Sequence, residues 1–296
     1  MKEFKAVHMA RRMGGILVCA LAVLAATLAG PAARAETADQ VQEIMRLAGI
    51  DKSFDNVGAG IVAGVKQNLG KMETDPSYRE KVLAGLEPAA AKAFSPEKMR
   101  NEIRLTLERK LASGDYSAIL AFYRSPVGKR MTALEAAAQS PDAALQMQAK
   151  AGELVERLKN QPEWAEMLKA LDSSVGLTES AINIAFNMGR ATALGMAAAD
   201  ERTASLGDET IQAIDNALEK ARPAMTAQMK QGMILVLAYT YRDASVAELR
   251  DYVKFYSTPA GKQLNRAVVE GMNTAFTQAG SDFGHALMKE LGKERI

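Results

Sequence analysis

FYRSPVGKR, Phe122 to Arg130, returns downstream as FYSTPAGKQ, Phe255 to Gln263. Each copy sets Phe-Tyr, two residues, Pro, one residue and Gly-Lys in the same order: Phe122, Tyr123, Pro126, Gly128 and Lys129, then Phe255, Tyr256, Pro259, Gly261 and Lys262. A hydroxyl stands before each proline, at Ser125 and Thr258, which is the signature of a helix N-cap followed by proline in the first turn. Before each phrase runs an amphipathic helical pattern: Tyr116, Ile119, Leu120 and Tyr123 in the first copy, Leu249, Tyr252, Val253 and Tyr256 in the second. After it come Met131 and Leu134, or Leu264 and Val268, at helical spacing. The phrase therefore predicts a helix-to-helix corner used twice. A glycine inside a helix costs about 1 kcal/mol relative to alanine, so each glycine implies a close approach by another backbone.

Outward from the corners, helix starts recur at Ser95-Pro96-Glu97, Ser140-Pro141-Asp142, Gln161-Pro162-Glu163 and Thr178-Glu179, and Ser245 with Glu248 forms a capping box. Gly114 and Ser205 to Asp208 read as breaks. No segment alternates cleanly at period two, and the apolar run Met233 to Tyr239 sits inside a long helical pattern from near Glu209. Alanine and methionine are plentiful while aromatic residues are few, at 5%. The expected fold class is all-α. Glu43-Ile44-Met45-Arg46 and Glu166-Met167-Leu168-Lys169 are read as opening short helices, each followed by a small-residue helix, Asn56 to Gly70 and Ala181 to Ala199. The order predicts two related multi-helix units, residues 36–150 and 151–296, with an insertion near Asp200 to Asp208, rather than a solenoid.

Residues 1–35 read as a signal peptide: Lys2, Lys5, Arg11 and Arg12 form a basic region, Ile16 to Ala29 an apolar stretch, and Ala33-Arg34-Ala35 a cleavage site. Cleavage after Ala35 would place the chain in the periplasm or outside the cell. An uncleaved anchor is the alternative, and Met9 is a second candidate start. Met13-Gly14-Gly15 lacks the hydrophobic pair of a twin-arginine signal, and Val18 before Cys19 argues against lipid attachment. This segment holds five of the 37 basic residues and one of the 35 acidic ones, so the formal charge of +2 goes with it. Nucleic acid is thus not an expected partner. The lone cysteine, Cys19, and His8 leave as well, and His285 alone supports neither a Cys/His zinc site nor a general base.

The doubled phrase, in an exported helical chain, resembles the bacterial family called domain of unknown function 2059. The resemblance implies a secreted or periplasmic all-α protein, in tandem form if both copies count. It implies no activity and no catalytic residues.

The remaining candidates are read from the residues. Gly58, Gly60 and Gly64 lack the preceding strand of a dinucleotide turn, and with Gly189 and Gly195 they predict helix faces for close packing. Lys129 and Lys262 lie where a helix N-terminus can hold an anion, but capping explains the same spacing. Met225, Met229 and Met233 share one helical face, which can serve as adaptable core, a soft apolar groove, or a Cu(I) site. Tyr239, Tyr241, Tyr252 and Tyr256 are expected to be buried with their hydroxyls paired, or to line a pocket. The alternating charges from Glu97 to Lys110, with Arg104 and Glu108 four apart, describe a solvated face. No HExxH or GxSxG motif occurs. The leading expectation is a non-enzymatic binding or protein-interaction module of the cell envelope, cofactor-free, with a protein partner or small apolar ligand. The alternatives are a cofactor-free hydrolase or lyase using carboxylates and tyrosines, and methionine-based Cu(I) binding. Membrane contact is expected only through export, unless the first segment stays as an anchor.

Overall fold

The computed structural model describes residues 31–70, 75–140, 142–200 and 207–292. They are helical throughout apart from short turns, with no strand among them, so the chain is all-α. The signal-peptide reading, Cys19 and the alternative start at Met9 lie outside the described residues. So do Pro141 and most of the expected insertion.

The chain divides into two units at Gln40–Val41. The described part of the first, residues 31–40, is the start of helix α1 (Pro31–Leu47). The second unit holds the rest. A 3-10 turn at Ile50–Lys52 leads to α2 (Val57–Leu69), α3 (Pro76–Ala93), α4 (Pro96–Lys110), α5 (Ser113–Arg124) and α6 (Pro126–Ala137). Then follow α7 (Ala143–Asn160), α8 (Pro162–Val175), α9 (Leu177–Ala199), α10 (Gly207–Thr240), α11 (Val246–Ser257) and α12 (Pro259–Gly292).

Several starts arise as the sequence predicts. Pro96, Pro126 and Pro162 occupy first turns, where the missing N–H is no loss. Met233 to Tyr239 forms the last turns of α10, where Leu237, Ala238 and Tyr239 are buried and Val236 is exposed. Others differ. Glu43 to Arg46 closes α1 instead of opening a helix, because α1 already begins at Pro31. Gly114 lies inside α5, whose start is set by Asp115 accepting a hydrogen bond from Ala112 N at 3.0 Å. The helix predicted after Ser140 begins at Ala143, behind Asp142.

The buried apolar residues fall into two clusters. The first joins α1, α3, α4 and α5 to α12, around Ile44, Phe54, Leu86, Ile103, Ile119 and Phe283. The second joins α6, α7 and α8 to α10 and α11, around Met131, Leu154, Trp164, Leu168, Leu237 and Leu249. Each cluster thus draws helices from both halves of the sequence. At the first corner the chain leaves α5 in the first cluster and enters the second along α6. At the second corner it leaves α11 in the second cluster and enters the first along α12.

Helix α12 is the main partner of α9, and it also packs on α3 and α4. A Cβ added at Gly284 would overlap Thr192 O and sit 2.9 Å from Met196 N, and one at Gly280 would lie 2.6 Å from Met188 O. On α9 a Cβ at Gly195 would overlap Ser281 O. These helices therefore meet backbone to backbone, which only glycine permits. Of the other glycines expected to allow close packing, Gly58 makes ordinary contact, 3.7 Å from Ala90 O and Phe94 Cβ, whereas Gly60, Gly64 and Gly189 face open space.

Candidate functional site

The two copies of the phrase meet. Ser125 Oγ accepts from Gly128 N and Thr258 Oγ1 from Gly261 N, both at 3.1 Å, so each hydroxyl caps the helix that its proline begins. A Cβ at Gly128 would overlap Phe122 O and lie 2.7 Å from Tyr123 Cα, and one at Gly261 would overlap Phe255 O and lie 2.9 Å from Tyr256 Cα. The same hydrogen atom in both places lets the second helix fold back on the first. Between the corners, the rings of Phe122 and Phe255 stack with centroids 3.9 Å apart and planes 4° from parallel. The Tyr123 and Tyr256 hydroxyls, 133 residues apart, share a hydrogen bond of 3.1 Å. Lys129 and Lys262 are exposed in the first turns of α6 and α12, and a hydroxyl already holds one of the free N–H groups beside each.

The comparison with known families turns on this region. Residues 97–157 match the family described as "Uncharacterized protein conserved in bacteria (DUF2059)". The DUF2059 match runs from the first turn of α4 into α7, with the first corner inside it, and the second corner lies outside the matched residues. No curated protein and no solved structure matches the chain.

Within the DUF2059 segment, α6 carries a carboxylate that the motif reading missed. Glu135 Oε1 accepts from Tyr241 Oη at 2.6 Å and from Tyr252 Oη at 2.7 Å. Burial raises the Glu135 carboxyl above its ordinary range, and the two tyrosyl hydrogen bonds oppose that rise. Burial likewise pushes the Tyr123, Tyr241 and Tyr252 hydroxyls well above the ordinary phenol value and raises Tyr256, so all four stay protonated. Tyr239 completes the set by donating to Gln146 Oε1 at 2.9 Å. Glu135 stands one helical turn from Met131, on the apolar face of α6. A charge in that place is the one signal the sequence offered.

Although its carboxyl is enclosed, Glu135 also borders a cavity of about 240 Å³, together with Gly49, Lys52, Asp55, Asn56 and Thr132. Its second oxygen has no hydrogen-bond partner among the described residues. The arrangement can accept a hydrogen bond from a small solute, or exchange a proton with one.

The methionine face does not converge. Met225 is exposed at 38%, Met229 is half-buried, and Met233 packs against the second core cluster. His285 is exposed on α12. Among the described residues no cluster of three or more His, Cys, Asp or Glu is placed to hold a metal, and no helix is long and apolar enough to cross a membrane.

A larger apolar groove, of about 520 Å³, opens between α2 and α3. Gly58, Val62, Ala63, Ala90, Ala91 and Phe94 line it, and the Lys66–Glu87 ion pair, 2.6 Å long, stands at its edge. Sequence reading had assigned the glycines of α2 to internal packing. The groove was not legible, because nothing local in the sequence shows that among the described residues no helix covers Gly60 and Gly64.

Proposed function

We propose that the chain is an exported, periplasmic binding module of the cell envelope, non-enzymatic, with the α2–α3 groove as its receptive surface. The groove carries the reading: it is apolar, open and built on a small-residue helix, the features of a site for an apolar ligand or a partner helix. The basic n-region, apolar stretch and Ala33-Arg34-Ala35 support export. A photo-crosslinking residue in place of Ala63, compared with one in place of Lys150 on α7, tests the site in the native envelope. The expected result is a light-dependent adduct at position 63 only, on a chain whose mass corresponds to residues 36–296. Equal or absent labelling at both positions would overturn the groove, and a mass that includes residues 1–35 would overturn cleavage.

One observation favours a second reading, a cofactor-free hydrolase or lyase. Glu135 is a carboxyl with a raised pKa on a cavity, as a general acid needs. Turnover of a panel of chromogenic esters and glycosides that disappears in Glu135→Gln would establish it. An identical background rate in both chains would remove it.

A further inference from the structure

Along the seam between α9 and α12 run two cavities, of about 560 and 430 Å³, that share Asn187 and Asn273. They lie end to end along α12 from Asn265 to Ser281, about 24 Å at roughly 1.5 Å per helical residue, and meet at the Asn187–Asn273 pair, so that together they line one furrow with that pair on its floor. We propose that this furrow binds an extended peptide segment of another protein through its main chain. The inference concerns other helices than the α2–α3 groove and stands whether or not that groove is occupied.

The argument begins with residue type. Asparagine is a weak helix former, because its carboxamide competes for backbone groups, and it belongs at caps and turns. Yet Asn183 and Asn187 lie inside α9, and Asn265 and Asn273 inside α12, none of them at a helix end. Asn265 has a structural use, since its Nδ2 donates to Val175 O at 2.8 Å. The other three cap nothing, and two of them pair with each other across the seam. Asn187 Nδ2 donates to Asn273 Oδ1 at 2.7 Å, which leaves Asn187 Oδ1 as a spare acceptor and the Asn273 amide as a spare donor. Turning both carboxamides over leaves the same pair, one donor and one acceptor. Asn183, one turn away on α9, has its full carboxamide unspent among the described residues.

A row of carboxamides, each offering both a donor and an acceptor, matches the alternating N–H and C=O groups of an extended chain. The furrow's length corresponds to about seven residues at roughly 3.3 Å each. Its walls supply apolar surface for side chains at Ile184, Val269 and Leu194. Thr277, whose hydroxyl is buried without a partner among the described residues, also borders the second cavity. No aromatic residue lines either cavity, so the flat face of a sugar ring would find nothing to stack on. Peptide is therefore the better fit than glycan.

The test uses the full chain. A phage-displayed random heptapeptide library is panned on the immobilised protein, and the tightest peptide is synthesised with a fluorophore and measured by anisotropy. A companion peptide carries N-methyl groups on alternate amides. Binding is expected to weaken at least tenfold in the double variant Asn187→Leu with Asn273→Leu, and at least tenfold for the N-methylated peptide on the unaltered chain. If the double variant does not fold, exposed Asn183→Ala replaces it, with a loss of threefold or more expected. The proposal falls if no heptapeptide is enriched over bare support, or if the N-methylated peptide binds as well as its parent. It also falls if chito-oligosaccharide, and no peptide, shifts the Asn183, Asn187 and Asn273 side-chain amide signals in nuclear magnetic resonance.

Discussion

At Gly128 and Gly261 a single missing methyl group decides whether the corner closes. In both, an added Cβ would meet the carbonyl of the phenylalanine six residues earlier, part of the turn itself and unable to move without opening it. Gly128→Val is expected to destabilise by about 1–3 kcal/mol through overpacking, and Pro126→Ala to cost much less, because the Ser125 cap survives it. Urea unfolding of the two variants checks both, and equal midpoints would show that the glycine marks no close contact. Glu135 supplies a pH dependence. Its folded pKa lies above the ordinary 4.5, so the folded state holds the proton more tightly. Its contribution is complete below that ordinary value and is lost as pH rises through the raised folded pKa. Relative to Glu135→Gln, the unaltered chain should therefore melt progressively lower as pH climbs above the ordinary 4.5, and parallel melting curves across that rise would contradict the burial of its carboxyl. The glycines were legible because a glycine after Ser-Pro or Thr-Pro has no capping use. Glu135 was not, because Tyr241 and Tyr252 stand 106 and 117 residues away along the chain.

Among elements, α5 and α11 begin alike but with different chemistry. Ser245 Oγ accepts from Glu248 N at 3.2 Å while Glu248 accepts from Ser245 N at 2.8 Å, a complete capping box. At α5, Asp115 plays the part of Glu248, but Ala112 has no oxygen to return. Ser245→Ala should cost about 1 kcal/mol, and Ala112→Ser should recover about 0.5–1 kcal/mol at the other helix. Chemical denaturation of each single variant separates the two effects, and a neutral Ala112→Ser would mean that the α5 start is too mobile to reward a cap. Starts of this kind are local in sequence and so were readable. Where a helix finds cover is not local. The glycines of α2 and of α9 look alike on paper, yet Gly195 is pressed against Ser281 while Gly60 and Gly64 meet nothing within 4 Å. What distinguishes them is α12, whose Gly280 and Gly284 admit α9 at backbone distance.

For the molecule as a whole, the repeated phrase is a pair of crossings. The chain enters each core cluster from the other, with Phe122 and Tyr256 packed against both. A composition or a helical period carries no trace of such an exchange, since the helices brought together come from opposite halves of the chain. It has a thermodynamic consequence. If α6 and α12 couple the clusters, damage deep in one must weaken the other. Ile103 is fully buried in the first cluster, and Ile103→Ala should cost about 2–5 kcal/mol by transfer and cavity terms together. Trp164, the only tryptophan, lies in the second cluster with the Arg157 guanidinium 4.0 Å over its ring, so its fluorescence reports that cluster alone. In Ile103→Ala the Trp164 transition is expected to shift to lower urea together with the far-ultraviolet circular dichroism, as one cooperative step. A Trp164 midpoint left at its original value while the helical signal falls early would show two independent cores. In that case the stacked rings of Phe122 and Phe255 would be a contact between bodies and not the joint that makes them one.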